Sequence, residues 1–367
     1  MIRIYSDAPA GNLSNTILEW ELLLNGMVRQ KGTIGQLLIA PKHSALFRLP
    51  AKMPPGNEEA FLHLRYVTRK KPPQIPASYL VAEEQLLLRT WNGNDLPIRP
   101  TGELSFKDED GLFSISSPSI LLQFNKQTGW LQHYEVKGFR LMEDSLGPKP
   151  NFWRDPPSGD DPANHADTSS APWQQATLSP RLQLFSTSTG SSIVIVRTEY
   201  TLPATSCQLH LAYTINAGGE MLVEQSIETD STQKGWPLSR FGMQWTPTPG
   251  LDSITWYGAT NSNPSIGIYH RVISGQPATT IPDRDQAPPV NTGIRWWKLT
   301  GKDGKGLQFT ADSSLLTTSA GHYAGRDPAA PPQVQLNIDY PALSLPYQNY
   351  HYSYKVTPVI PGKTGMP

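Results

Sequence analysis

Hydrophobic and polar residues alternate along most of the chain, which is typical of strands that bury one face. In residues 17–34, "ILEWELLLNGMVRQKGTI", two alternating runs flank an Asn-Gly dipeptide, the strongest short signal of a β-hairpin. More alternating runs follow, which gives about seven strands in roughly 90 residues with turn residues every ~8–12 positions. The pattern predicts an immunoglobulin-like β-sandwich over residues 1–92.

The alternation stops in residues 93–111, where Gly, Pro and charged residues accumulate, and we predict a linker there. It resumes at residue 112, and residues 112–362 are predicted to form a second domain. No segment has a helical period of about twelve or more residues, and no blade-like repeat appears. The pattern therefore predicts an all-β protein whose second domain is one large two-sheet sandwich rather than a propeller.

Charge and hydropathy exclude several kinds of partner. The chain has 31 Lys and Arg against 31 Asp and Glu, so its formal net charge is zero and nucleic acid is not expected as a partner. No run approaches the roughly 18 apolar residues of a transmembrane helix, so no membrane partner is expected either. The first residues lack the apolar core and cleavage site of a signal peptide, which leaves the compartment open between cytoplasm and periplasm.

Motifs for cofactors and metals are missing from the sequence. The single cysteine, Cys207, begins an alternating strand and is expected to be a buried thiol. The eight histidines are scattered, and no phosphate-binding or dinucleotide motif occurs, so we expect neither a metal nor a cofactor. Adjacent carboxylates on a strand, such as Glu83 and Glu84, face opposite ways and cannot form a glycosidic site alone. Asp160 and Asp161 lie in an irregular loop and are the one adjacent pair that we consider as a ligand contact.

Aromatic residues give the stronger functional signal. Ten Trp and fourteen Tyr in a neutral β protein suit carbohydrate, since sugar C–H faces stack on rings while amides, acids and Arg bond the hydroxyls. The competing interpretation is core packing, which is the commoner role of a strand tryptophan. Trp296 and Trp297 must face opposite ways, so at most one of them lines a given groove.

Three stretches resemble the glycoside hydrolase family 2 β-galactosidases. They are "PPQIPASYLVAEEQLLL" (72–88), "PNFWR" (150–154) and "GIRWWKLTGKDGKGLQFTADSSLLTTSAGHYA" (293–324), in the family's order. The resemblance covers about residues 12–360 and corresponds to the C-terminal half of those enzymes. It implies an immunoglobulin-like domain followed by a β-galactosidase small-chain domain with a galactose-mutarotase-like supersandwich fold.

The departures from the family lie in its substrate-facing segments. The late loop that carries a tryptophan into the galactose site is missing after "NIDY" (337–340), and the family's acidic T-D-N-D is replaced by "PPSGDD" (156–161). Nothing in the chain resembles the catalytic barrel, where the family's catalytic glutamates and metal ligands reside. The resemblance thus implies no catalysis by this chain alone, and it leaves the β-galactoside substrate open.

Three hypotheses remain. In the first, the chain is a C-terminal part or small subunit of a β-galactosidase-like glycosidase that completes the substrate rim around a catalytic barrel supplied elsewhere. In the second, it is a carbohydrate-binding protein. In the third, it is a mutarotase-type epimerase, although no glutamate is evidently paired with His270, His322 or His351. The expected carbohydrate contacts are Trp153, Arg154, Asp161, Arg295, Trp297, His322 and Tyr323; no catalytic or metal-binding residue is expected.

The stretch "PNFWR" also has a structural interpretation. Phe152 and Trp153 are expected to be buried anchors that pin the loop to the sandwich. Arg154 is expected to bond nearby carbonyls or a carboxylate rather than a sugar.

Overall fold

A computed structural model describes residues 1–7, 13–35, 37–69, 79–93, 96–153, 171–230, 237–238, 240–260, 265–272, 291–323, 333–341 and 345–361. The chain divides into two compact units. The first consists of residues 1–92 with 265–268, and the second of residues 93–264 with 269–367. Strands dominate both, and the described residues include one short α-helix, so the all-β prediction is confirmed.

The first unit is a small sandwich of two antiparallel sheets. One sheet has four strands in the order β3-β2-β5-β6, and the other pairs β1 with β4. A 3₁₀ turn, Leu13–Asn15, precedes β2. The strands are β1 (Ile2–Tyr5), β2 (Thr16–Leu24), β3 (Met27–Ile34), β4 (Ser44–Phe47), β5 (Ala60–Thr68) and β6 (Leu80–Arg89).

The predicted Asn-Gly hairpin joins β2 to β3. Leu24 pairs with Met27, and the two residues between them both have positive φ, 45° at Asn25 and 80° at Gly26. Positive φ at both central positions is the requirement of a type I′ turn, which matches the twist of the flanking strands. The alternation in β2 then places Leu18 and Trp20 in the core of this unit.

The second unit contains one nine-stranded sheet and two five-stranded sheets, all antiparallel in the pairings described. The sheet orders are β13-β14-β15-β16-β25-β22-β21-β18-β19, β11-β10-β9-β8-β7 and β12-β17-β24-β23-β20. The elements are β7 (Ser105–Glu109), β8 (Leu112–Ser117), β9 (Ile120–Asn125), β10 (Leu131–Val136), β11 (Phe139–Arg140), β12 (Lys149–Asn151), α1 (Ala171–Leu178), β13 (Arg181–Thr189), β14 (Ile193–Leu202), β15 (Cys207–Asn216), β16 (Met221–Glu228), β17 (Gly242–Trp245), β18 (Leu251–Gly258), β19 (Gly267–Val272), β20 (Asn291–Ile294), β21 (Trp296–Gly301), β22 (Gly306–Ala311), β23 (Leu316–Tyr323), β24 (Gln333–Asp339) and β25 (Tyr350–Val359).

Strand β7 lies inside the segment predicted to be a linker. Residues 105–109 pair with β8 through a full antiparallel register, from Ser105 opposite Ser116 to Glu109 opposite Leu112. The charged composition of this strand hid it from the hydrophobic pattern, because an edge strand can be polar on both faces. The boundaries 1–92, 93–111 and 112–362 otherwise stay a prediction.

The core of the second unit lies on the inner face of the nine-stranded sheet. Phe124 of β9 packs on Tyr213 of β15, with ring centroids 5.3 Å apart, so one five-stranded sheet covers the β13–β15 side. Trp245 of β17 donates its indole N–H to Tyr354 Oη at 3.0 Å and meets Phe309 edge-on, so the other sheet covers the centre. Within the described residues, no helix is both long and apolar enough to cross a membrane.

Candidate functional site

A polar cluster occupies the outward face of the sheet formed by β12, β17, β24, β23 and β20. Met243 and Trp245 of β17 point into the core, so the alternate residues of these strands point the other way. Those residues are nevertheless buried, with 2% of Asn337, 3% of Asp339 and 3% of Ser319 exposed. Buried polar side chains must be hydrogen-bonded or paired to be tolerated, so this face is organised around specific contacts.

An arginine and an aspartate form the centre of this cluster. Arg240 Nε lies 3.2 Å from Asp339 Oδ2, with 9% and 4% of the two side chains exposed. Arg240 Nη1 also donates to Asn337 Oδ1 at 3.1 Å, and Asn337 Nδ2 donates to Ser319 Oγ at 3.2 Å. The guanidinium charge is therefore neutralised by a buried carboxylate and held in place by an amide.

Gly242 is required for this arrangement. It lies opposite Asp339 in the register between β17 and β24. A Cβ atom at position 242 would stand 2.0 Å from Asp339 Oδ1 and 2.8 Å from the Ile338 carbonyl oxygen. Only a residue without a side chain lets the aspartate lie across the neighbouring strand, which is a common reason for glycine within a strand.

Asn151 connects this cluster to Trp153. Its Nδ2 donates to Asn337 Oδ1 at 3.1 Å, and its Oδ1 accepts from the Trp153 backbone N–H at 3.2 Å. Phe152, between them, is fully buried and stacks on Phe241 with centroids 6.3 Å apart. Phe152 is thus the buried anchor that was predicted. Trp153 is only half-buried, because its backbone faces the polar cluster while Phe152 takes the core position.

Arg295 is buried at the junction between β20 and β21. Its Nη1 donates to the Gly293 carbonyl oxygen at 2.6 Å, and its guanidinium lies 5.6 Å from the centroid of the Tyr257 ring. These contacts hold it by a backbone oxygen and an aromatic face, an arrangement that suits arginine in partly dehydrated surroundings. The carbohydrate contact predicted for Arg295 stays a prediction.

Trp297 fills the core of the second unit. It is fully buried and packs against Phe309, with ring centroids 5.8 Å apart, whereas Trp296 is half-exposed on the other face of the sheet. The expected opposite orientation of the two tryptophans is therefore confirmed. Trp297 therefore packs in the core, which was the competing interpretation of the strand tryptophans. Its assignment as a carbohydrate contact stays a prediction.

The remaining predicted contacts are only partly placed. His322 and Tyr323 end strand β23, where their backbones pair with Val334 and Gln333, and their side chains are outside the described structure. Arg154 and Asp161 lie outside the described residues altogether. The structure thus describes the side chains of three predicted contacts, Trp153, Arg295 and Trp297. Of these, Trp153 is linked to the polar cluster through the hydrogen bond from its backbone N–H to Asn151.

Sequence reasoning missed the polar cluster itself. Arg240 lies just before β17, whereas Asn337 and Asp339 belong to β24, almost 100 residues later, and their meeting depends on a register between the two strands that no local pattern reveals. The best available signal was the three polar residues at alternate positions in "QLNID" (335–339), which are Gln335, Asn337 and Asp339. Such residues in a buried strand require partners.

Other candidate chemistry is accounted for by local contacts. Cys207 is buried as predicted; its Sγ lies 3.3 Å from the Thr205 carbonyl oxygen, and burial raises the pKa of the thiol. His270 Nδ1 lies 3.0 Å from Thr255 Oγ1 rather than beside a carboxylate. No group of three or more His, Cys, Asp or Glu side chains in the described part of the chain is arranged to hold a metal ion.

Two family models match the chain over complementary regions. The model "Beta-galactosidase, domain 4" matches residues 2–89. The model "Beta galactosidase small chain" matches residues 116–345, which is more than half of the chain. The chain belongs to the β-galactosidase small-chain family. It corresponds to the domain 4 and small-chain regions, the C-terminal part of a β-galactosidase.

Curated relatives of this small-chain protein are bacterial β-galactosidases. That of Priestia megaterium is 24% identical over 259 residues, covering 68% of this chain and 24% of the relative. That of Lactobacillus delbrueckii subsp. bulgaricus is 24% identical over 324 residues, covering 85% and 31%. The chain therefore spans less than a third of the length of either relative.

Solved structures align with the small-chain protein at low similarity. Galactose 1-epimerase from Lactobacillus acidophilus NCFM aligns with a TM-score of 0.41 and 8% identity, covering 70% of this chain and 98% of that one. Heparan sulfate lyase HepC from Pedobacter heparinus aligns with a TM-score of 0.40 and 10% identity, covering 72% and 38%.

Proposed function

We propose that this chain acts as the non-catalytic domain 4 and small-chain part of a β-galactosidase-type glycosidase. In this role it packs against a catalytic domain through its first unit, and its second unit contributes to the rim of the carbohydrate site. The proposal rests on the two matched family models and on the distribution of exposed apolar side chains.

The exposed apolar side chains are concentrated in the first unit, and this observation carries the proposal. Among the described residues, sixteen large apolar side chains are exposed, and thirteen of them belong to the smaller unit. Scattered exposed apolar residues are ordinary, but a concentration of them marks a surface that a partner covers. The residues in the first unit are Met1, Tyr5, Met27, Val28, Leu38, Leu46, Met53, Tyr79, Leu80, Val81, Leu87, Leu88 and Ile268.

Strand β6 carries more of these side chains than any other strand of the first unit. It forms one edge of the four-stranded sheet, and it exposes 53% of Val81, 51% of Leu87 and 46% of Leu88. Strand β6 carries Glu83, Glu84 and Arg89, charged residues of the kind that protect an edge strand, but its exposed apolar side chains still favour association. A catalytic domain that packs on β6 would bury these side chains and cover the open edge of the four-stranded sheet.

The carbohydrate rim is proposed at Trp153. Its ring is half-buried, and its backbone N–H is held by Asn151, which the buried cluster of Arg240, Asn337 and Asp339 positions. A half-exposed indole on a rigid support suits stacking on the C–H face of a sugar. We extend this proposal to the predicted contacts Arg154, Asp161, Arg295, His322 and Tyr323, but not to Trp297, which is fully buried in the core.

Complementation tests the proposal. The chain is mixed with a β-galactosidase catalytic chain from the same source that carries no domain 4 or small-chain region, and hydrolysis of a chromogenic β-galactoside is measured. We expect hydrolysis only when both are present, and we expect Val81→Asp with Leu87→Asp to abolish it by placing charges on the packing surface. Leu184→Asp is the matched control, since Leu184 is 44% exposed but lies in the second unit.

The outcomes separate the hypotheses. Hydrolysis that survives the double substitution would contradict packing through β6. Failure of complementation, combined with sugar binding by the chain alone on a glycan array, would favour the stand-alone carbohydrate-binding hypothesis instead.

A further inference from the structure

A cleft lies in the outward face of the nine-stranded sheet, on the side away from the core. Its volume is about 250 Å³, and it is formed by side chains of four adjacent strands, β14, β15, β16 and β25. The side chains that carry its chemistry are Arg197, Glu199, His210, Glu224, Ser226 and His351. Neither family resemblance nor motif pointed to this surface.

The strand register explains why the surface is concave. Glu199, His210, Ser226 and His351 lie opposite one another across the four strands, so Ser226 stands between two histidines. In the next row, Ala212 stands between Arg197 and Glu224. Small side chains therefore form the floor and long ones form the walls. His210 and His351 are two strand spacings apart, roughly 10 Å.

The cleft is lined by both donors and acceptors of hydrogen bonds. His210 Nδ1 lies 4.0 Å from Glu199 Oε1, and its Nε2 lies 3.9 Å from Glu228 Oε2. Both distances are too long for hydrogen bonds. His210 Nε2 is covered from solvent and has no hydrogen-bond partner in the part of the chain that the structure describes. This ring therefore keeps unused bonding capacity at a nitrogen that solvent does not reach.

The charges and the size select the class of ligand. Glu199, Glu224 and Glu228 outnumber the single guanidinium of Arg197, which disfavours an anion. An ammonium ligand would use the carboxylates but would leave Arg197 facing a like charge. Hydroxyl groups both donate and accept, so they fit a wall that carries both kinds of group. The volume is below the roughly 300–1,000 Å³ of sites for drug-sized ligands, so a single ring fits.

We propose that this cleft is a second binding site, separate from Trp153, for a single neutral sugar ring. The ring lies over Ala212 and Ser226, with its hydroxyls bonded by Glu224, His210 and His351. The site is on the opposite side of the nine-stranded sheet from the Arg240–Asp339 cluster, because Tyr352, next to His351, points inward and donates to the Ile338 carbonyl oxygen at 3.0 Å.

Nuclear magnetic resonance of the histidine rings tests this site directly. D-galactose and D-glucose are titrated into the chain, and the ring C–H signals of His210 and His351 are followed. We expect saturable shifts at both rings with a dissociation constant on the order of 1 mM, in the weak range for a small solvent-exposed site. Ser226→Phe, which fills the floor, should weaken binding at least tenfold.

Matched variants keep the outcome clear. Thr357→Phe places the same ring on the outward face of β25, outside the cleft, and should leave the shifts unchanged. Should Ser226→Phe fail to fold, His351→Ala at an exposed position replaces it and should also weaken binding. Shifts that are absent, that do not saturate, or that persist unchanged in Ser226→Phe, or in His351→Ala where it replaces Ser226→Phe, would overturn the proposal. β-Galactoside hydrolysis after complementation should be unaffected by Ser226→Phe, so this site and the proposed function can fail independently.

Discussion

The two units differ in how deeply they bury the same kinds of contact. In the first, Arg65 Nη1 lies 3.1 Å from Glu19 Oε2, and 42% and 38% of these side chains are exposed. In the second, Arg240 Nε lies 3.2 Å from Asp339 Oδ2, and the exposures are 9% and 4%. The distances are nearly equal, but the first pair is solvated and the second is not.

Apolar residues show the same contrast. The first unit places Leu80, Val81, Leu87 and Leu88 of β6 at its surface, whereas the second gathers nearly all its large apolar side chains into one core. The second unit therefore buries its apolar side chains internally, while the first exposes the apolar side chains on which the proposed packing rests. Burial, rather than the number of contacts, decides how much each contact contributes.

Alkaline pH should produce the largest difference between the units. Five tyrosines of the second unit are buried, and burial raises each pKa well above the ordinary value near 10. The unfolded chain loses these protons first, so stability is full below about pH 10 and falls as the pH rises. The residues are Tyr134, Tyr200, Tyr213, Tyr352 and Tyr354.

Above about pH 10 each of these tyrosines should lower the free energy of unfolding, and the loss should grow as the pH rises. Denaturant unfolding near pH 8 and pH 11 measures this loss. The only tyrosine of the first unit with a raised pKa among the described residues is Tyr66, which is half-buried. Ionisation of all fourteen tyrosines near pH 10 while the second unit is still folded would contradict the expectation, because only the exposed ones should form phenolate there.

Breaking the buried ion pair should have the next largest effect. Arg240→Met removes the guanidinium that faces the buried Asp339 carboxylate, and we expect the free energy of unfolding of the second unit to fall by about 3–5 kcal/mol. Adding Asp339→Asn should recover part of the loss, because the uncompensated charge is then removed. A double variant that is no more stable than Arg240→Met would show that the two side chains are not coupled.

Two leucines on neighbouring strands compare core with surface inside the first unit. Leu62 of β5 is 5% exposed and Leu87 of β6 is 51% exposed. We expect Leu62→Ala to lower the free energy of unfolding by about 2–5 kcal/mol and Leu87→Ala to change it by less than about 0.5 kcal/mol. Chemical denaturation of each variant measures both. Equal losses would mean that β6 is already covered in the isolated chain.

The exposed ion pair should matter least. Arg65→Gln removes the partner of Glu19, and the expected loss is about 0.2–1 kcal/mol because water screens the pair. Salt should reduce even that difference, whereas it should hardly change the effect of Arg240→Met. A loss comparable to that of Arg240→Met would erase the distinction between the two pairs.

The sequence predicted the elements better than the site. The Asn25-Gly26 hairpin, the strand character of both units and the burial of Phe152 and Cys207 follow from local patterns. Strand β7 was missed because its charged residues carry no hydrophobic signal. The alternation shows that Trp296 and Trp297 lie on opposite faces of their strand, but it does not show which face packs into the core. Trp297 was therefore a candidate sugar contact.

The alternation of residues determined the all-β fold, and the order of its motifs determined the family, since both are written in local spacing. Tertiary structure decided which polar residues meet. Arg240, Asn337 and Asp339 come together only through the pairing of β17 with β24, and His210 and His351 face each other only because β16 lies between their strands. A strand's own pattern specifies two faces but not its neighbour or its register, and sites built across strands depend on both.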